Sequence, residues 1–347
     1  ICKSQIGPGG GGEDSELDTV LFCNSGSEAN DLAWRMATAF TGHDGALCTN
    51  WAYHGITEAT VALSPESAAP AGHLPRHVER WHPPDPFRHL HTGDQEFVAA
   101  RHRLEAKGYT LAATILDGCL ASEMISDLEP SYCQALVSHT RAAGGLWIAD
   151  EVQSGHGRTG SHMWCYQRWG ITPDFVTMGK PMGNGVPIAA VITRRKIADK
   201  FVQKHGVFFS TFGGNPVCVA AAHAVLDVLQ DTHVLARTAH AGEALRAAMS
   251  VTTAAAALPS HVRGVGLMNC LELVTDHESQ RPNTQLASCL KNALRRRGVL
   301  VGTTGQHSNM LKIRPPLAFT AAEVPVFAEA LAAAIEECKN LHAKSRL

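Results

Sequence analysis

Six short runs of this 347-residue chain, at 19–23, 46–48, 111–116, 146–149, 174–178 and 187–193, are β-rich and mostly continuous in apolar residues. They lack the polar alternation of a half-exposed strand. A strand of that kind is buried on both faces, which demands helices above and below it and a largely parallel sheet. Helix-patterned stretches alternate with the runs. The first places Ala29, Leu32, Ala33, Met36, Ala37 and Phe40 on one face at helical spacing. The predicted fold is α/β, a mainly parallel central sheet sandwiched by helices.

The character changes after Asn215. An Ala/Val/Leu-rich helix pattern runs through Val217, Ala220, Ala221, Ala224 and Val225, and helical composition continues toward Met249. Beyond Pro259 the order is strand 266–273, helix 285–297, strand 298–301, strand 310–314 and helix 321–339, which predicts a smaller α+β domain. A chain of this length exceeds the usual single core. The expected division is a large domain over 18–230 and a small C-terminal domain over 231–347. Residues 1–17, with Gly7-Pro-Gly-Gly-Gly-Gly12, form no core and read as a flexible or truncated leader.

Composition narrows the function classes. The 30 basic and 32 acidic residues nearly cancel, giving −2, so no charge field draws the chain to nucleic acid or an anionic membrane. No apolar run approaches the roughly 20 residues of a membrane helix. The 10 cysteines show no CxxC spacing. They are expected as free thiols in a reducing compartment, the cytoplasm or a mitochondrial matrix. His73, His77, His82, His89 and His91 crowd a Pro- and Arg-rich stretch. Without fixed spacing on rigid elements they read as solvated loop residues, and no metal site is expected.

Chemistry concentrates where the apolar runs end. Asn24-Ser-Gly-Ser-Glu-Ala-Asn30 joins a strand to a helix, where free amides and the helix dipole suit an anion. The plainer reading is a capping serine that needs no ligand. Asp150 closes Gly145-Leu-Trp-Ile-Ala-Asp150 and begins Asp150-Glu-Val-Gln-Ser-Gly-His-Gly-Arg158. A carboxylate at a buried strand end needs a cation, which is either Arg158 in a structural ion pair or a bound group. Lys180, flanked by Gly179 and Pro181, is either a surface loop lysine or an amine held in a cleft for imine chemistry. An amine and a carboxylate that each end a strand suit pyridoxal phosphate, which takes a lysine Schiff base and an acid on its pyridinium nitrogen.

The ordered set Asn24-Ser-Gly-Ser-Glu-Ala-Asn, Tyr53-His-Gly, Asp150-Glu-Val-Gln-Ser-Gly-His-Gly-Arg-Thr-Gly, Thr177-Met-Gly-Lys-Pro-Met-Gly-Asn-Gly and Ser210-Thr-Phe-Gly-Gly-Asn-Pro resembles the class III aminotransferases over about residues 18 to 340. Met178-Gly-Lys-Pro-Met-Gly-Asn-Gly and Leu311-Lys-Ile-Arg-Pro-Pro resemble the branch that holds the ethanolamine-phosphate and phosphohydroxylysine phospho-lyases. The resemblance implies a pyridoxal-phosphate enzyme of fold type I and a homodimer. Lys180 would form the Schiff base and shuttle a proton, and Asp150 would hold the pyridine nitrogen. Val152 would pack behind the ring, Gln153 would approach its phenolic oxygen, and Tyr53 would stack in front with His54 beside it. Gly26 and Ser27 would bind the phosphate, with Thr211 contributed by the neighbouring subunit.

Departures from the family pattern bear on substrate. Asp117 stands where many relatives carry a gating glutamate. Lys312, with Arg314 two residues on, stands where many carry an arginine that clamps a substrate carboxylate. A lysine lacks the bidentate fork. In relatives a substantial N-terminal segment precedes the Asn-Ser-Gly-Ser run, whereas here a glycine-rich leader does. Three readings result: a transaminase moving an amino group from an amine or amino acid to a keto acid, a phospho-lyase releasing ammonia and phosphate, and a truncated, catalytically impaired paralogue.

Overall fold

The computed structural model describes residues 17–68, 74–91, 93–231 and 233–344. The expected leader over 1–17 lies, apart from Leu17, outside the described residues, as does His73. The chain divides into two compact units.

The first unit is built on a seven-stranded sheet. In chain order its elements begin with β1 (Thr19–Cys23), helix α1 (Gly26–Thr41), β2 (Gly45–Thr49), β3 (Val78–Trp81) and α2 (Gln95–Ala106). They continue with β4 (Leu111–Asp117), α3 (Pro130–Ala142), β5 (Leu146–Asp150), β6 (Phe175–Met178), β7 (Ala189–Thr193), α4 (Arg195–His205) and α5 (Pro216–Asp231). The sheet order is β1-β7-β6-β5-β4-β2-β3. Every pairing from β6 to β3 is parallel, and β7 alone runs against the others. This is the mainly parallel α/β sheet expected from the apolar runs. Strands β2, β5, β6 and β7 are buried at every residue. The apolar stripe of α1, including Leu32, Ala33 and Met36, packs in one core with Ile115, Ile148, Phe175 and Val191.

Helix α1 begins where the sequence supplies a cap. Ser25 Oγ accepts from Glu28 N at 3.2 Å, and Glu28 reaches back to Asn24 N at 2.7 Å. It ends at Gly42, whose φ of 73° is the left-handed C-cap that glycine adopts without strain.

The second unit holds α6 (Val234–Ala255), β8 (Ser260–Val265), β9 (Met268–Leu273), α7 (Thr284–Arg296), β10 (Gly302–Thr304), β11 (Met310–Ile313) and α8 (Val324–Lys344). Its sheet, β10-β11-β9-β8, is antiparallel throughout. Leu271, Leu290, Leu294, Leu311 and Leu331 form its core. Inside that unit Arg263 pairs with Glu272 at 2.6 Å, with side chains 9% and 1% exposed.

Several expectations are corrected. The helical stretch toward Met249 is two helices, because His233 takes a left-handed φ of 47° just before α6 begins. Residues 298–301 are not a strand. Gly298 N and Val299 N donate back to Arg295 O and Leu294 O to close α7, Leu300 is exposed, and pairing starts only at Gly302. Two segments inside 18–230 group with the second unit: Cys119–Asp127 and Gly157–Ser161. Thr304 Oγ1 donates to Ser122 O at 2.9 Å, and Arg158 Nη1 to Pro315 O at 2.6 Å. The cysteines are not all thiols: Cys289 on α7 and Cys338 on α8 form a disulfide, because those two helices pack together in one core. No described helix is long and apolar enough to cross a membrane.

Candidate active site

The carboxyl ends of β4, β5 and β6 and the first turn of α1 enclose a cavity of about 340 Å³ within the first unit. This is where an open α/β sheet places its ligands. Asp117, Asp150 and Lys180 line it from the strand ends, and Gly26 and Ser27 from α1. Tyr53, His54, Val152 and Gln153 complete the set, so nine of the residues expected from sequence meet in one place. Thr211 is exposed and does not line this cavity. Lys312 and Arg314 belong to the second unit. There Lys312 Nζ donates to Ala121 O at 2.7 Å. Arg314 is exposed, and its charge, after burial, holds Arg158 down at about 10.

Asp150 is 4% exposed. Its Oδ2 accepts from Asn30 Nδ2 at 2.8 Å and lies 2.7 Å from His54 Nδ1, while Oδ1 accepts from Val152 N at 3.0 Å. No lysine or arginine pairs with it among the described residues. The alternative of a structural pair with Arg158 is overturned, since that guanidinium donates to the Leu267 and Pro315 carbonyls. A buried carboxylate held in place by neighbours, with no lysine or arginine on it, is suited to a cationic ligand atom.

Asn30 is a site residue that the sequence pattern did not single out. It bonds Asp150, the His54 carbonyl at 2.8 Å, and Thr177 Oγ1 at 2.6 Å. Its signal was there to find: an amide on the otherwise apolar buried face of α1. His54 Nε2 is buried without a partner among the described residues.

On the same cavity, α1 offers the first amides of its N-terminus, which have no intrahelical acceptor. The wall there leaves no room for a side chain. Gly55 has φ of 143°, and a Cβ on it would come within 2.6 Å of Ser27 Oγ. A Cβ on Gly26 would meet both Val152 methyls at 2.9 Å. Lys180 is exposed and adopts a left-handed φ of 29° just before Pro181. That is a strained conformation for a residue that precedes proline. An oriented carboxylate, a helix N-terminus with a close backbone wall, and an exposed amine fit the ring nitrogen, the phosphate and the aldehyde of pyridoxal phosphate respectively.

Comparison with known proteins agrees with this geometry. The family model for class-III aminotransferases matches residues 10–335. The chain is 38% identical to ethanolamine-phosphate phospho-lyase homolog 1 of Caenorhabditis elegans, over 87% of this chain and 70% of that protein. It is 34% identical to the mitochondrial alanine–glyoxylate aminotransferase 2 homolog 2 of Arabidopsis thaliana, over 91% of this chain and 66% of that protein. Among solved structures, an Arthrobacter phospholyase in complex with phosphoethanolamine superposes with a TM-score of 0.85 at 36% identity, covering 92% of this chain and 77% of that one. The chain belongs to the class-III aminotransferase family, pyridoxal-phosphate enzymes of fold type I.

Proposed function

We propose that this chain is a pyridoxal-phosphate-dependent lyase that removes phosphate and ammonia from a phosphorylated primary amine of the phosphoethanolamine class. Lys312 carries this reading. Where the resemblance to the wider family leads one to expect an arginine fork for a substrate carboxylate, the chain has a single-point cation engaged with the Ala121 carbonyl. A substrate amine without a neighbouring carboxylate has no need of that fork. The identities of 38% and 36% to two phospho-lyases support the same choice.

When bound, pyridoxal phosphate supplies an electron sink that acidifies the carbon bearing the amine. Asp150, held by Asn30, His54 and Val152, would orient the ring nitrogen and hold a proton on it. Gly26 and Ser27 would hold the phosphate, Tyr53 and Val152 would pack on the ring, and Gln153 would lie by the phenolic oxygen. Lys180 Nζ takes the proton from the amine-bearing carbon. The carbon–oxygen bond to phosphate on the next carbon then breaks, and phosphate leaves with the electron pair. Overall one water enters, and phosphate, ammonia and an aldehyde leave. Thr211 sits in an exposed segment with Phe209 and Phe212, 81% and 70% exposed. We assign it to the phosphate site of a second copy in a homodimer.

The test is stoichiometry. Purified protein given phosphoethanolamine should release ammonia and phosphate in equal amounts with no keto acid present, and Lys180→Ala should lose on the order of 10⁴-fold in rate. An absolute requirement for a keto acid would favour the second reading, transamination. The 34% identity to an alanine–glyoxylate aminotransferase supports that reading.

A further inference from the structure

Next to Asp150 lies a second buried acid that the chemistry above does not use. Glu151 is 2% exposed and does not line the cavity, because successive residues of an extended chain point to opposite sides. Its Oε1 accepts from Tyr166 N at 2.9 Å, and its Oε2 from Cys165 N at 3.0 Å and Ser154 Oγ at 2.9 Å. Its own amide donates to Thr177 O at 2.9 Å, and its carbonyl accepts from Gly155 N at 3.0 Å. Glu151 is thus bonded to β6, to the turn that follows β5 and to the segment at 165–166.

No basic side chain compensates this carboxylate among the described residues, so its burial is costly. Burial and the charge of Asp117 push it up to about 7 against three hydrogen bonds that favour the ion. An apolar residue would fill this position at less cost if packing were its whole purpose. What the carboxylate secures is the place of its two neighbours. Asp150 and Val152 sit on the cavity side, and the Val152 methyls fill the space that a Cβ on Gly26, at the start of α1, would need. A shift of the 151–154 turn would move the acid and the cavity wall together.

We propose that Glu151 is a positioning residue whose carboxylate, tied to Ser154, Cys165 and Tyr166, holds the Asp150–Val152–Gln153 wall in register with the first turn of α1. The proposal rests on the reading of the cavity as the pyridoxal-phosphate site.

Glu151→Gln keeps the shape but supplies one acceptor oxygen for donors that now use two. Ser154→Ala removes one bond and leaves the carboxylate intact. The full chain and both variants are titrated with pyridoxal phosphate, with affinity read from tryptophan fluorescence and the bound cofactor's geometry from its visible circular dichroism. Glu151→Gln should weaken affinity by about tenfold or more and alter the visible signal, and Ser154→Ala should do the same to a smaller degree. Wild-type affinity and signal in Glu151→Gln would overturn the proposal. If that variant does not fold, Ser154→Ala decides: a weakened, altered cofactor signal supports the role, and an unchanged one overturns it. A wild-type chain that takes up no cofactor defeats the cofactor reading and this proposal together. A wild type that binds, with variants that bind identically, defeats this proposal alone.

Discussion

Two sites, one in each unit, bury charge in opposite ways. In the second, Glu272 has its cation inside the sheet: Arg263 lies 2.6 Å away and also donates to Met124 O, and Asn309 Nδ2 donates to the other carboxylate oxygen. In the first, Asp150 and Glu151 sit side by side at the end of β5 with no lysine or arginine on either among the described residues. A matched pair within a sheet is structural, and removing either partner leaves a bare charge. Buried acids left without a lysine or arginine are a cost the fold bears for something it binds or holds. Where compensation is missing, function is the better explanation.

This contrast can be broken by three substitutions. Arg263→Met leaves Glu272 buried and unpaired, and should lower unfolding free energy by about 3–5 kcal/mol in a denaturant titration. A change below about 1 kcal/mol would mean the pair is not what holds the second sheet. The pH dependence of stability isolates Glu151. Its folded value stands at about 7, above the ordinary 4.5, so the fold binds the proton more tightly than the unfolded chain does. Its contribution is therefore most favourable below 4.5 and is lost as pH rises to about 7, on the order of 3 kcal/mol in all. Glu151→Gln should flatten stability across that window. An unchanged slope would place its origin elsewhere. Asp150→Asn should have the smallest effect on the cofactor-free chain, about 1 kcal/mol, because the loss of one acceptor oxygen is offset by the removal of a buried charge. The same variant should bind pyridoxal phosphate on the order of 100-fold more weakly. A large loss of stability would make Asp150 structural, like Glu272.

Much of this was legible in the sequence because it is local. The apolar runs marked six strands of the main sheet, the capping serine in the Asn24–Asn30 run marked the start of α1, and strand-end positions marked Asp150 and Lys180. What was missed depends on contacts far apart in the chain. Strand β3 is four residues long and has exposed Arg80 within it. Asn30 acquires its role only when β5 lies across α1, and Cys289 meets Cys338 only once α7 and α8 pack. Residues 298–301 have strand composition but are spent turning out of a helix. Glu151 looked like a second acid in a motif, and its partners lie 14 and 15 residues away.

The central claim is that the cavity at the strand ends of the first sheet is a cofactor site organised around Lys180. Purified protein should be incubated with pyridoxal phosphate, reduced with borohydride, digested and mapped by mass spectrometry. The account predicts a single stoichiometric pyridoxyl group on Lys180. Label on another lysine, or none at all, would contradict it.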